Sequence, residues 1–175
     1  MGQSATLYRI DKDEFARLET EPSSFNIKRT EGHVTFEQNF EGLVFLLHKL
    51  CSNSERSMIQ EIFLPSESIG KKIDSEDFDV LADLSFLETD SISYLNSDKI
   101  NSILGILNKT DKNQFLGLYD PIELNDNGIY PSVWHSDESP NQAFNKRHIE
   151  DGFDKLVHLF KEATQNDNLI LVFVG

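Results

Sequence analysis

The sequence has a single cysteine, Cys51, and few basic residues, and each shortage excludes a class of protein. One thiol forms no intrachain disulfide, so nothing in the chain requires an oxidising compartment. Only 16 Lys and Arg stand against 30 Asp and Glu, which gives a formal net charge of −14. A field of that sign repels phosphate groups and anionic lipids, so we expect no binding to nucleic acid or to a membrane.

Long apolar runs are missing as well. The longest, Leu169–Val174, is far shorter than the roughly 20 residues that cross a bilayer. The first residues contain neither a basic segment nor an apolar run, so the sequence predicts no signal peptide. Together with the lone thiol, these features predict a cytoplasmic protein.

The chain also lacks the short motifs of the common enzyme classes. It contains no glycine-rich phosphate loop, no G-x-S-x-G elbow, no H-E-x-x-H and no C-x-x-C. We therefore expect no cofactor and no metal, and we favour a protein that is not an enzyme.

The residues that are present predict one α+β domain over residues 1–175, since two domains would each be very small. Ala5–Ile10 has the composition of a strand, and Leu169–Val174 is apolar at every position, as in a strand covered on both faces. Phe40–Cys51 and Ile149–Ala163 carry apolar residues at helical spacing. We expect a small mixed sheet with a buried C-terminal strand, packed against several amphipathic helices.

Several of these features together resemble the YfbM-like family of small bacterial proteins. The matching parts are Met1-Gly2 before a strand and helix, the Phe40–Cys51 helix, the Ile129-Tyr130-Pro131 turn followed by Trp134, and the ending Asn168–Gly175. The resemblance covers nearly the whole chain and implies a single α+β domain. It implies no activity and supplies no catalytic residues.

The segment from Trp134 to Glu138 is the most site-like part of the sequence. It follows Tyr130 and a proline turn, and it combines the indole of Trp134, the imidazole of His135 and the carboxylates of Asp137 and Glu138. A loop held between fixed elements is a common place for binding residues. His135 with Asp137 or Glu138 could hold a divalent ion or act as acid and base. Alternatively, Trp134 is a core anchor and the other residues form a solvated loop.

A second candidate is the stretch Ile73–Asp98, which contains no Lys or Arg. Its apolar residues have helical spacing, so we expect a folded amphipathic helix. Its early acidic residues could form a face for a basic protein partner, or simply a solvated helix face. The residues of this candidate acidic partner face are Asp74, Glu76, Asp77, Asp79 and Asp83.

The remaining chemistry is weaker. His48 and Cys51 lie three residues apart on one helix, which would allow an imidazole-activated thiol. We favour a buried thiol instead, because Cys51 extends the apolar stripe of that helix. His33, His148 and His158 have no ligand spacing with one another, and we expect them at the surface.

The leading functional hypothesis is a non-enzymatic, acidic protein–protein interaction domain, in the manner of an inhibitor or antitoxin. It rests on the net charge and on the missing catalytic motifs. The alternative is a small hydrolase or ligand-binding protein with its site around Tyr130, Trp134 and His135. A purely structural role is the third possibility.

Overall fold

The computed structural model describes residues 3–70 and 91–175. Within these ranges the chain alternates short strands with helices of 6 to 20 residues. In chain order the elements are β1 (Ser4–Ile10), α1 (Lys12–Thr20), two single 3₁₀ turns (Pro22–Ser24 and Ile27–Arg29), β2 (Gly32–Glu37), α2 (Phe40–Leu50), α3 (Asn53–Gln60), β3 (Glu67–Ile69), β4 (Ile92–Leu95), α4 (Ser97–Lys109), α5 (Lys112–Gly117), α6 (Pro121–Asp126), α7 (Lys146–Gln165) and β5 (Leu169–Val174).

The five strands form one sheet in the order β2-β1-β5-β4-β3, and each of its pairings is antiparallel. The α+β class is confirmed, with β5 at the centre of the sheet as expected. The sheet of the described residues is antiparallel instead of mixed. An all-apolar strand is typical of a parallel sheet, but a central antiparallel strand covered on both faces has the same composition.

Each face of the sheet has its own hydrophobic cluster. Ile170 and Val172 of β5 belong to the larger cluster, which α2, α3, α4 and α7 complete. Leu169 and Leu171 belong to the smaller cluster on the other face, together with Leu18 of α1. Successive side chains of a strand point to opposite faces, so one apolar strand joins both clusters.

Side-chain caps start five of the described α-helices, α1, α3, α4, α5 and α6. Asp11 accepts the backbone N–H of Glu14 at 2.7 Å and starts α1. Ser52 and Glu55 form a reciprocal capping box at the start of α3, and Asp120 caps α6. Such caps satisfy backbone N–H groups that a helix leaves free at its first turn. None of the helices within the described ranges is both long and apolar enough to cross a bilayer.

Candidate functional site

An apolar groove of about 410 Å³ lies on the outer side of α2, and we call it the Phe45 groove. Two of its large hydrophobic side chains are open to solvent, since Leu64 is 61% exposed and Val174 is 43% exposed. Contiguous exposed apolar surface of this kind commonly marks a binding site. The groove is lined by Gln3, Phe40, Glu41, Val44, Phe45, His48, Gln60, Phe63, Leu64, Ile129 and Val174.

His48 brings a polar atom into this apolar lining. Its Nε2 is buried and has no hydrogen-bond partner among the described residues. Burial lowers the pKa of the imidazole below its usual value, and the charge of Arg56 lowers it further, while the backbone hydrogen bond with Arg56 raises it. The ring is therefore neutral at pH 7, and it offers one unsatisfied nitrogen beside Phe45.

Tyr130, from the predicted loop, does not line the groove but is hydrogen-bonded to two residues that do. Its backbone N–H donates to Oε2 of Glu41 at 3.1 Å, and its hydroxyl accepts the backbone N–H of Gln3 at 3.0 Å. The peptide bond that follows it, to Pro131, is cis. Tyr130 therefore joins the start of β1 to α2 and carries Ile129 into the groove wall.

Trp134 is a core side chain, only 3% exposed. Its Nε1 donates to the carbonyl oxygen of Ile129 at 2.9 Å, and its backbone N–H donates to Oδ1 of Asn125 at 2.8 Å. Its ring lies so close to Gly42 of α2 that an added Cβ there would be 2.6 Å from the indole. Because the indole is buried, its contacts support the loop from inside, as in the core-anchor interpretation.

The other predicted loop residues point to solvent. The side chains of His135, Asp137 and Glu138 are exposed. The backbone of His135 is tied down, because its N–H donates to Phe144 at 2.9 Å and its carbonyl oxygen accepts the hydroxyl of Tyr119 at 2.8 Å. Burial raises the pKa of Tyr119 to about 12, and the charge of Glu138 adds to the increase. The hydrogen bond to the backbone of His135 has the opposite, lowering effect.

Hydrogen bonds to nearby residues explain the position of Asp137. Its Oδ1 accepts the backbone N–H of Ser139 at 2.8 Å, and the fully buried Asn145 donates to its carbonyl oxygen at 2.8 Å. The structure thus separates the five predicted loop residues: Trp134 lies in the core, Tyr130 bonds two residues that line the groove, and the other three lie at the surface. Their role in binding stays a prediction.

The structure also separates His48 from Cys51. Cys51 follows the last residue of α2, is 9% exposed, and lines a different small cavity from that of His48. Burial, followed by the charge of Glu55, raises the pKa of the thiol, against the opposing charge of Arg56. A protonated, buried thiol is a poor nucleophile, so these observations agree with the interpretation as a structural cysteine.

A second cavity, of about 350 Å³, is polar, and we call it the His148 cleft. It lies between the end of β2, the turn before α2, and the start of α7. Asn39 is 9% exposed, and its Oδ1 has no hydrogen-bond partner among the described residues. The cleft is lined by Thr35, Phe36, Glu37, Gln38, Asn39, Ala143, Phe144, His148, Asp151, Gly152 and Lys155.

His148 is only partly at the surface, which corrects the expectation of an exposed side chain. His148 lies in the first turn of α7, shortly after Asn145. It lines the cleft together with residues of β2. Its Nδ1 is 2.9 Å from Oδ1 of Asn145. Burial, followed by the charge of Arg147, lowers the pKa of its imidazole, against the opposing charge of Asp151.

The predicted acidic partner face, Asp74, Glu76, Asp77, Asp79 and Asp83, lies outside the described residues. Within residues 3–70 and 91–175, no three His, Cys, Asp or Glu side chains form a group that could hold a metal ion.

Sequence patterns point only weakly to the two cavities. Phe45 and His48 lie outside the buried apolar stripe of α2, which includes Phe40, Leu43 and Leu47. An aromatic residue outside the buried stripe of a helix indicates a second apolar surface. The His148 cleft has no comparable signal, because its lining comes from two segments far apart in the chain, residues 35–39 and 143–155.

Comparison with known proteins identifies a family but no activity. The family model described as a domain of unknown function, DUF1877, matches residues 1–173. A solved structure, that of YfbM from Escherichia coli, a protein of unknown function, has a TM-score of 0.65 and 16% sequence identity over 98% of this chain and 99% of that chain. No curated protein matches the chain. These matches confirm the resemblance seen in the sequence, and the structural match shows the fold alone.

Proposed function

The chain belongs to the DUF1877 family, which is described as a domain of unknown function. We propose that it is a non-enzymatic interaction domain whose Phe45 groove binds a basic segment of a partner protein. The observation that carries this proposal is the exposure of Leu64 and Val174 in one groove. Grooves that bury the apolar side chains of a partner segment are a recurring mode of peptide recognition.

The charge of the protein defines the partner. A net charge of −14 attracts basic proteins over long range and raises their association rate at low salt. Glu41 adds a carboxylate inside the groove, beside the exposed apolar residues. The partner segment is therefore rich in Lys or Arg and carries one or two large apolar side chains that enter the groove.

His48 adds a requirement for a hydrogen-bonding group. Its Nε2 is buried and has no partner among the residues that the structure describes, which is unfavourable until it gains a hydrogen bond. A partner side chain that combines an apolar body with a hydroxyl group, such as Tyr, would satisfy the nitrogen in either tautomer while filling the groove. Such residues commonly carry the binding energy of interfaces.

This function is that of an inhibitor or an antitoxin-like protein, which acts by binding alone. The acidic residues Asp74, Glu76, Asp77, Asp79 and Asp83 would extend the attraction for the same partner. Their participation stays a prediction, and charge reversal at Asp77, Asp79 and Asp83 tests it separately from the groove.

The test is an affinity pull-down from native lysate with the full chain, at low and moderate salt, read by mass spectrometry. The decisive comparison is between Leu64→Ser, in the groove, and Ile122→Ser, which removes a 70% exposed side chain outside it. Both changes affect exposed side chains, so we expect each to alter the stability by less than about 0.5 kcal/mol.

We expect a stoichiometric basic partner that wild type and Ile122→Ser retain, that Leu64→Ser loses, and that higher salt releases. The proposal is overturned if no basic partner is recovered, or if Leu64→Ser and Ile122→Ser retain it equally.

The alternative, a small hydrolase or ligand-binding protein around Tyr130, Trp134 and His135, has less support from the geometry. Trp134 is in the core and His135 is exposed, so they do not line one cavity. A thermal-shift screen with divalent metal ions, repeated on His135→Ala, tests it. Absence of any His135-dependent shift would remove this alternative.

A further inference from the structure

We propose that the His148 cleft is a second binding site, for a small organic cation that carries N–H donors, such as a primary amine or a guanidine. This site is distinct from the Phe45 groove, so the inference does not depend on the proposed function. Its volume of about 350 Å³ lies within the usual range for small-molecule sites.

The first step of the argument is the orientation of the Asn39 amide. Its Nδ2 donates to the carbonyl oxygen of His148 at 3.0 Å. Rotating the amide by 180° would place two oxygens against each other, so the orientation is fixed. Oδ1 is therefore a genuine acceptor that has no partner among residues 3–70 and 91–175, and buried polar groups in folded proteins are nearly always bonded.

The second step is the tautomer of His148. Asn145 uses its Nδ2 to donate to the carbonyl oxygens of Asp137 and Gln142, at 2.8 and 2.9 Å. Its Oδ1 must then accept from Nδ1 of His148, 2.9 Å away. Since burial keeps this imidazole neutral, its Nε2 is left as an acceptor. Both polar groups of the cleft therefore call for a ligand that donates.

The third step is charge. Glu37, Asp151 and Lys155 line the cleft. Lys155 is already paired with Asp151 at 2.6 Å, which leaves the carboxylate of Glu37 as excess negative charge. A positively charged donor fits this balance, whereas a carboxylate or phosphate ligand would be repelled.

The fourth step is the backbone. Gln38 and Phe144 both line the cleft, and both have a positive φ, of 56° and 52°. This left-handed conformation is unfavourable for residues other than glycine, and such strain is concentrated at ligand sites. Because Oδ1 of Asn39 is buried, a donor reaches it only when the cleft wall shifts, and these two residues are the strained parts of that wall.

The experiment is a titration of ¹⁵N-labelled full-length protein, followed by two-dimensional NMR, with putrescine and methylguanidinium as probes. Butanol and butyrate, which lack the cationic N–H group, are the matched controls. We expect saturable shifts of the Asn39 side-chain amide and of the Gln38 and Phe144 backbone amides with the two cations only.

Two pairs of proteins decide the outcome. Asn39→Leu, compared with wild type, removes the acceptor and should weaken cation binding at least about tenfold, as loss of a hydrogen bond to a charged group does. Glu37→Gln should weaken it about threefold, the size of an exposed ion pair. Glu31→Gln, an exposed acid outside the cleft, should leave it unchanged.

The inference is overturned if the probes give no saturable shift up to about 10 mM, the weak end of ligand binding. Equal shifts with butanol or butyrate overturn it too. If Asn39→Leu does not fold, the pair Glu37→Gln and Glu31→Gln decides, and equal binding by these two variants overturns it.

Discussion

The Phe45 groove and the His148 cleft have similar volumes, about 410 and 350 Å³, but opposite chemistry. Both include residues at or next to α2, with Phe45 on the outer side of the helix and Asn39 just before its first residue. The groove is lined mainly by apolar side chains that solvent reaches. The cleft is lined mainly by polar side chains, and two of its residues have left-handed backbone.

This difference shows how one short helix, α2, supports two kinds of surface. Along its length α2 buries Leu43, Leu46 and Leu47 in the core, and this burial fixes the helix in place. The side of α2 that faces solvent carries the apolar residues of the Phe45 groove. The first residue of α2 directly follows the polar turn that lines the His148 cleft. Trp134 contacts both sides, since its Nε1 bonds Ile129 of the groove and its ring meets Phe144 of the cleft.

Replacing Trp134 should therefore break both sites at once, with the largest effect on stability. We expect Trp134→Ala to lower the free energy of unfolding by about 3–5 kcal/mol, the usual range for removing a buried tryptophan. Urea denaturation followed by circular dichroism measures this change, because Trp134 is the only tryptophan and its fluorescence is lost in the variant.

The control is Val133→Ala, which truncates the neighbouring side chain, 48% exposed. We expect a change of less than about 0.5 kcal/mol there. A Trp134→Ala variant as stable as Val133→Ala would contradict the role of the indole as the shared wall.

Two helix glycines extend the comparison, because Gly42 packs against the Trp134 ring and Gly152 lines the His148 cleft. A Cβ at Gly42 would lie 2.6 Å from the rigid Trp134 ring, whereas a Cβ at Gly152 would lie 2.8 Å from the end of the flexible Leu43 side chain. We expect Gly42→Ala to destabilise by about 3 kcal/mol and Gly152→Ala by about 1 kcal/mol, the two ends of the range for overpacking.

Gly105 of α4 is the matched control, since a Cβ added there meets no atom within 4 Å. Gly105→Ala should stabilise the protein by up to about 1 kcal/mol, through the helix preference of alanine. Urea denaturation of the three variants gives their order. If Gly42→Ala were the most stable of the three, the close packing of Trp134 on α2 would be refuted.

The fold was predictable where one periodic pattern decides it. The buried residues of α7 repeat at helical spacing, and β5 is apolar throughout, so both elements lie where the sequence indicates. The direction of the strand pairings was not predictable in the same way. It depends on how the chain returns to the sheet, and β5 has the same composition beside parallel or antiparallel neighbours.

The sites were less predictable, because a site depends on contacts between distant segments. The sequence places Trp134 beside His135, but only the packing on Gly42 shows that the indole points inward. Asn39 and His148 are 109 residues apart, and nothing local to either indicates their hydrogen bond. A polar residue such as His148 has the same local sequence pattern whether it is exposed or lines a cleft.

The smallest expected effect compares the two imidazoles, of which His48 lines the Phe45 groove and His148 lines the His148 cleft. Burial lowers the pKa of His48 and of His148 below the ordinary 6.5. The unfolded chain therefore binds protons at these two positions more readily than the folded protein does. Above about pH 6.5 both rings are neutral in either state, and the free energy of unfolding is not reduced. As the pH falls below about 6.5, protonation favours the unfolded chain and the free energy of unfolding decreases. Urea denaturation at about pH 7.5 and pH 5.5 brackets this window.

We expect the loss of stability between these two pH values to be smaller in His48→Gln and in His148→Gln than in wild type, and smallest in the double variant. His158→Gln, at an exposed position, is the control and should behave as wild type does. A wild-type loss that persists unchanged in the double variant would mean that neither ring resists protonation. The neutral imidazoles that both proposed sites require would then lose their physical basis.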